Sequence, residues 1–263
     1  MQKRVQIALA VLLVMLVGVI AWQVLREREP VYQGKRLSGW LQGYIHGGSY
    51  IGVQPEPEAD EAVRQIGTNA TSALLHMLRA HDSNLKLALW RLIDKQHLER
   101  IQILRVLSYW QAAVAFHALG ASASNAVPIL VQTYRDEICS DSQSACAEAL
   151  GWIGRAASGA IPDLMSAVTN LDDTLRAVAV EALGHIHAEP ELVLPVLTRS
   201  LRDSSSRVRS RAVGSLVGFG AEAKAAIPAL TLALDDPVAA IRTNAAAALK
   251  AINPEAAVKA GVK

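Results

Sequence analysis

Three arginines stand 33 residues apart, Arg176, Arg209 and Arg242, each six residues after Asn170, Asp203 or Asp236. A guanidinium offers its N–H donors in a planar fork that matches a carboxylate or a phosphate. A repeated Arg column therefore has two readings. It could be a basic stripe for phosphate, or an Asp–Arg ladder that ties one structural unit to the next. An acid recurs with the Arg in two of the three units, which favours a structural ladder of Asn170, Arg176, Asp203, Arg209, Asp236 and Arg242.

Other residues capable of chemistry are scattered. Cys139 and Cys146 could form a disulfide across a turn between helices if the chain is exported, or be small buried hydrophobes. His185 and His187 are two apart, a spacing that does not share a helix face. His46, His76, His81, His97 and His117 form no pattern. The sequence has no Gly-rich phosphate loop, GxSxG elbow, HExxH or CxxC. No catalytic, cofactor-binding or metal-binding residue is assigned, and the expectation is a non-enzymatic protein. Lys plus Arg is 26 and Asp plus Glu is 24, a net charge of +2 that gives no reason to expect nucleic acid as a partner.

The elements that carry these residues repeat. Gly120 and Pro128, Gly154 and Pro162, and Gly220 and Pro228 are each eight residues apart, and His187 and Pro195 keep the distance with His in place of Gly. The prolines step by 34, 33 and 33 residues, a solenoid period. Each unit reads as a first helix ending in Leu or Ile before Gly, a turn of small residues, and a second helix opening at the Pro, where a missing N–H costs nothing. Leu130, Leu164, Leu197 and Leu230 follow the prolines by two residues, and Tyr134, Val168, Leu201 and Leu234 by six. These columns are the expected buried seam. Asp136, Asn170, Asp203 and Asp236, at eight, are expected N-caps.

Residues 1–4 form a short tail before Val5–Leu25, which has no charged residue and is long enough as a helix to cross a bilayer. It reads as an uncleaved signal-anchor, with a cleaved signal peptide and a secreted product as the alternative. The expected topology puts the solenoid on the exported, periplasmic side. Residues 26–57 read as a juxtamembrane linker, with a short amphipathic helix at 36–45 whose Leu37, Trp40, Leu41 and Tyr44 cover the first repeat. The repeats run over 58–253, with an extra helical insertion at 81–108, and 254–263 is a frayed or capping tail.

DDTLRAVAVEALGHIH (172–187) and DDPVAAIRTNAAAALKAIN (235–253) resemble HEAT repeats, most closely the short bacterial kind also seen in phycobilin lyases. The likeness covers Glu58 to Asn253. The layout of an anchor, then YQGKRLSGWL (32–41), then EADEAVRQIGTNATSALLHML (58–78) is similar to that of membrane-anchored bacterial HEAT-repeat proteins. The sequence departs from the pattern at His187, at Ser142 and Gln143 where an Arg would stand, and in a last unit with only its first helix. Tolerance of His187 requires a turn without positive φ.

The resemblance implies an all-α, right-handed α-solenoid of about five helical hairpins behind a transmembrane helix. It also implies that the second helices line a concave face. Gln132, Arg135, Ser166, Thr169, Arg199, Arg202, Leu232 and Asp235 should be exposed there, with Thr198 beside them. Gln132, Arg135, Ser166, Thr169, Thr198, Arg199, Arg202 and Asp235 are the candidate partner-binding residues, centred on Arg199 and Arg202. The expected function is a membrane-tethered scaffold for another, membrane-associated protein, without a cofactor. The alternatives are a lyase-type small-molecule enzyme on the same scaffold and a structural envelope protein.

Overall fold

The computed structural model describes residues 29–45, 56–79 and 108–262. The expected anchor at 5–25, most of the loop before Pro57 and nearly all of the insertion at 81–108 lie outside the described residues. The described residues form five helical hairpins, with one short helix before them and two helices after them. The hairpins pair α2 (Pro57–Ile66) with α3 (Ala70–Arg79), α4 (108–119) with α5 (Val127–Arg135), α6 (Ser140–Ile153) with α7 (Ile161–Ala167), α8 (Asp173–Ile186) with α9 (Pro190–Ser200), and α10 (Ser206–Phe219) with α11 (Ile227–Leu232). Helix α12 (Ala239–Ile252) follows, with α13 (Pro254–Lys259) behind it. One apolar core runs unbroken from Leu37 to Ala257. The fold is an all-α solenoid apart from one small β-hairpin near its start.

The turn inside each hairpin explains the Gly column. Gly67, Gly120, Gly154 and Gly220 all have positive φ, between 49° and 74°, a region that side chains resist. Three of these glycines begin seven-residue 3-10 segments, Gly120–Ala126, Gly154–Ala160 and Gly220–Ala226. Their Ala123, Ala126, Ala157, Ala160, Ala223 and Ala226 are buried, so small residues there are a packing requirement. Pro128, Pro162 and Pro228 lie in the first turn of the helix that follows.

The fourth hairpin turns differently. His187 adopts a left-handed conformation with φ 48°, and Glu189 follows with φ 50°. The turn therefore needs positive φ even with His in place, contrary to expectation. The His187 ring stacks on Phe219 at 4.3 Å, a contact that offsets part of the backbone cost. Helix α9 begins at Pro190, five residues before the marker Pro195, which sits inside the helix.

Leu130, Leu164, Leu197 and Leu230 are all 0% exposed and form the seam between units. The acids at the fourth column are not N-caps. Asn170, Asp203 and Asp236 instead accept from the backbone N–H two residues on, at 2.8, 2.8 and 2.9 Å, closing Asx turns that lead into the helix. The helix caps themselves are Asp172 for α8 and Cys139 for α6. Ahead of α3, Thr68 and Asn69 lie in the 3-10 turn Gly67–Asn69, which has no side-chain cap.

The start of the core is covered, and its far end is covered in part. Before the first repeat, β1 (Val31–Tyr32) and β2 (Lys35–Arg36) pair antiparallel across a Gln33-Gly34 turn with φ of 48° and 76°. Helix α1 (Leu37–Leu41) and the 3-10 turn Gln42–Ile45 follow. Leu37, Leu41 and Tyr44 are buried, and Trp40 packs against Tyr32 and Lys35 instead. The Tyr44 hydroxyl donates to Asp60 at 2.7 Å, and Gln111 donates to the Leu41 carbonyl at 2.9 Å. The segment thus docks on the first two repeats, where a flexible linker would have no such contacts. At the other end Asn253 caps α13, which buries Ala257.

Candidate functional site

The Arg column lies at the repeat boundaries. Arg176 donates from Nε and Nη2 to Asp203 at 3.0 and 2.9 Å, and from Nη1 to the carbonyls of Asn170 and Leu171. Arg209 repeats the arrangement on Asp236 at 2.7 and 3.0 Å, with Nη1 on the carbonyls of Asp203 and Ser204. The guanidiniums hold Asp203 and Asp236 below the usual carboxylate range. With four hydrogen bonds each engaged inside the protein, these two arginines serve the ladder and leave little for phosphate. The other first-helix contacts also cross between units. Ser205 donates to Asp173 at 2.7 Å, Arg207 donates to Thr174 at 2.8 Å, and Arg211 pairs with Glu181.

A concavity that contains expected binding residues lies between α9 and the turn into α11. It is an open cleft of about 580 Å³. Leu194, Pro195, Ala225 and Ala229 supply apolar surface, and Thr198, Arg199, Arg202, Glu191 and Glu222 supply polar groups. Thr198 back-bonds to the Leu194 carbonyl at 2.7 Å, which fixes its rotamer. Arg199 and Arg202 are exposed and, among the described residues, make no ion pair or side-chain hydrogen bond. They differ in this from Arg135, Arg176, Arg209 and Arg211, which are all paired with acids.

The remaining expected binding residues do not converge on this cleft. Arg135 forms a bidentate pair with Asp163 of the next unit at 2.8 and 2.9 Å. Gln132 donates to Asp136, and Thr169 donates to the Ser166 carbonyl. Ser166 and Asp235 are exposed and stand apart from the lining. The cysteines are unbridged thiols. Cys139 caps α6 through its sulfur, and Cys146 lies seven residues along the same helix. That is a rise of roughly 10 Å, beyond the reach of a disulfide. Burial pushes the Cys146 thiol up to about 12.

A second polar cluster lies across the first helices. Trp152 is stacked on His185 at 4.4 Å and meets His117 edge-on at 4.6 Å. Its indole N–H donates to Glu148 at 3.3 Å. Burial pushes the Glu148 carboxyl up to about 7, helped by the charge of Glu181 and opposed by the indole N–H and Arg211. Burial also lowers the His185 pKa, against the pull of Glu181. Among the described residues no group of three or more His, Cys, Asp or Glu is placed to hold a metal ion.

Residues 161–250 match the family model for HEAT repeats. The fold is that of a HEAT/armadillo-type repeat protein. A designed armadillo repeat protein in complex with the peptide (KR)4 superposes with a TM-score of 0.51 at 16% identity, covering 82% of this chain and 99% of that one. An engineered protein aligns with a TM-score of 0.49 at 20% identity, over 86% of this chain and 61% of that one. No curated protein matches the chain.

In this HEAT/armadillo-type solenoid, sequence reasoning missed Pro190, Glu191 and Glu222 as groove residues. The dipeptide Glu189-Pro190 carried the signal for the first two, because Pro is favoured in a first helical turn. It also missed the stack around Trp152. Trp152 and His185 are 33 residues apart, so the period itself places them on neighbouring helices at the same height.

Proposed function

We propose that this protein is a non-enzymatic solenoid that binds a polypeptide segment of another protein in the groove between α9 and α11. The observation that carries this reading is the pair of unengaged guanidiniums, Arg199 and Arg202, above the apolar surface of Leu194, Pro195, Ala225 and Ala229. A segment that fits presents carboxylates to the two arginines and a cation toward Glu191 and Glu222. The cleft is open and carries no nucleophile paired with a base, which suits binding better than enclosed small-molecule chemistry. The designed armadillo relative is in complex with a peptide, and the shared fold makes an extended surface of this kind available here.

In the same reading, Val5–Leu25 anchors the chain in a membrane and holds the solenoid on the exported side. Tethering raises the effective concentration of the groove toward partners in the same membrane. Alkaline carbonate extraction tests the anchor. Full-length protein should stay with the membrane pellet, and its release to the supernatant would refute the anchor. Photo-crosslinking from position 198 in native membranes tests the groove. Crosslinked partners should disappear with the Arg199→Glu/Arg202→Glu double variant, and their persistence would refute the site.

A further inference from the structure

Helix α12 presents a rung of the ladder with one side empty. Arg176 and Arg209 each place Nη1 on two carbonyls of their own loop and turn the Nε and Nη2 edge onto the next unit's Asp. Arg242 makes the first half of this contact. Its Nη1 donates to the carbonyls of Asp236 and Pro237 at 2.8 and 3.1 Å. Its Nε and Nη2 meet no carboxylate among the described residues. The carbonyl pair that orients the two earlier forks orients this one as well.

The face beside Arg242 is open in the same register. Thr243, Ala246 and Ala247 lie two periods after Ala177, Val180 and Glu181, the positions through which α8 receives α10. On α8 the first two are 1% and 0% exposed, and Glu181 pairs with Arg211 of α10. On α12 the corresponding residues line an open cleft of about 640 Å³, bounded on its far side by Leu234 and Ala260. Small side chains there leave room for close approach of a helix backbone.

We infer that this end of the solenoid binds a helix of another protein that carries an Asp or Glu just before its first turn. Arg242 donates two hydrogen bonds to that carboxylate, and the cleft along Thr243, Ala246 and Ala247 receives the helix. The charge complementarity is the one the protein itself uses at Asp203 and Asp236. The site is separate from the groove at Arg199 and Arg202, so either can fail alone.

Titration calorimetry of the full chain in detergent micelles provides the test. The probe is a synthetic peptide of residues 233–252, the loop and helix that fill the equivalent place on α10. The wild type should bind it. Peptide Asp236→Asn or protein Arg242→Ala should weaken binding by about tenfold or more, the loss expected for a charged hydrogen-bonded pair. Ala247→Trp fills the cleft without touching Arg242 and should also abolish binding, whereas Arg199→Glu/Arg202→Glu should not. Absence of wild-type binding, or equal binding by Arg242→Ala, overturns the inference. So does full affinity in Arg242→Lys, which keeps the charge without the fork. Self-association that Arg242→Ala abolishes would assign the edge to a second copy and overturn the choice of occupant.

Discussion

Arg176 holds Asp203 with two parallel hydrogen bonds across a repeat boundary, while Asp203 accepts from the backbone N–H of Ser205. One acid thus shapes the loop into its own helix and receives the arginine of the preceding unit. Arg209 and Asp236 repeat the relationship one period later.

Ion pairs between units should matter in proportion to their burial. The Arg209–Asp236 side chains are 14% and 6% exposed, and those of Arg135–Asp163 are 58% and 18% exposed. Arg209→Ala should destabilise by about 2–3 kcal/mol, as for a lost charged hydrogen-bond pair. Arg135→Ala should shift stability much less, because the pair is screened by solvent. Urea midpoints of the two variants check the order, and equal shifts would count against the ladder.

Glu148 should make the protein less stable as pH rises. Burial pushes its folded pKa up to about 7, above the usual glutamate value of 4.5, so between the two the folded state holds a proton that the unfolded state has lost. Stability should be highest below the lower value, fall as pH rises through about 7, and level off above it. Asp203 and Asp236 act in the opposite direction at acid pH. Their lowered pKa values stabilise the fold above the unfolded value, and that stability is lost as pH falls through the folded one. Glu148→Gln should remove the decline near neutrality while leaving the acid limb. Thermal melts across the pH range decide, and an unchanged neutral slope in Glu148→Gln would contradict the assignment.

Two helical glycines should respond oppositely to alanine. A Cβ at Gly184 would meet Ser215 side-chain atoms at 2.4 and 2.5 Å and its Cα at 3.0 Å. Gly184→Ala should therefore cost about 1–3 kcal/mol through forced separation of α8 and α10. A Cβ at Gly214 meets nothing within 4 Å. Gly214→Ala should gain up to about 1 kcal/mol from helix propensity. Denaturation midpoints moving in the same direction would refute the packing argument.

The solenoid was legible in the sequence because its period is enforced by backbone geometry. Positive φ at Gly154 and Gly220, a first-turn Pro, and a Leu with no room for exposure each restrict residue type strongly. His187 broke the pattern in type while keeping the conformation, since its stack on Phe219 is a contact between units that no local rule contains. The early β-hairpin was hidden for a similar reason. Gln33-Gly34 is a weaker turn signal than Asn-Gly, and strands of two residues show no alternation. The acids of the ladder were read as caps because Asx turns and N-caps favour the same residue types and differ by two positions. The groove was half legible. Arg199 and Arg202 were expected on the concave face with Thr198 beside them, but Glu222 enters from the neighbouring hairpin and depends on how the units stack.

The most direct measurement of the central claim is quantitative capture of membrane partners by three forms of the full chain. These are the wild type, Arg199→Glu/Arg202→Glu, and Arg155→Glu as a control for charge at an exposed arginine outside the groove. Partners crosslinked from position 198 should be recovered with the wild type and with Arg155→Glu, and lost with the double variant. Recovery of the same partners in the same amounts by all three forms would contradict the groove.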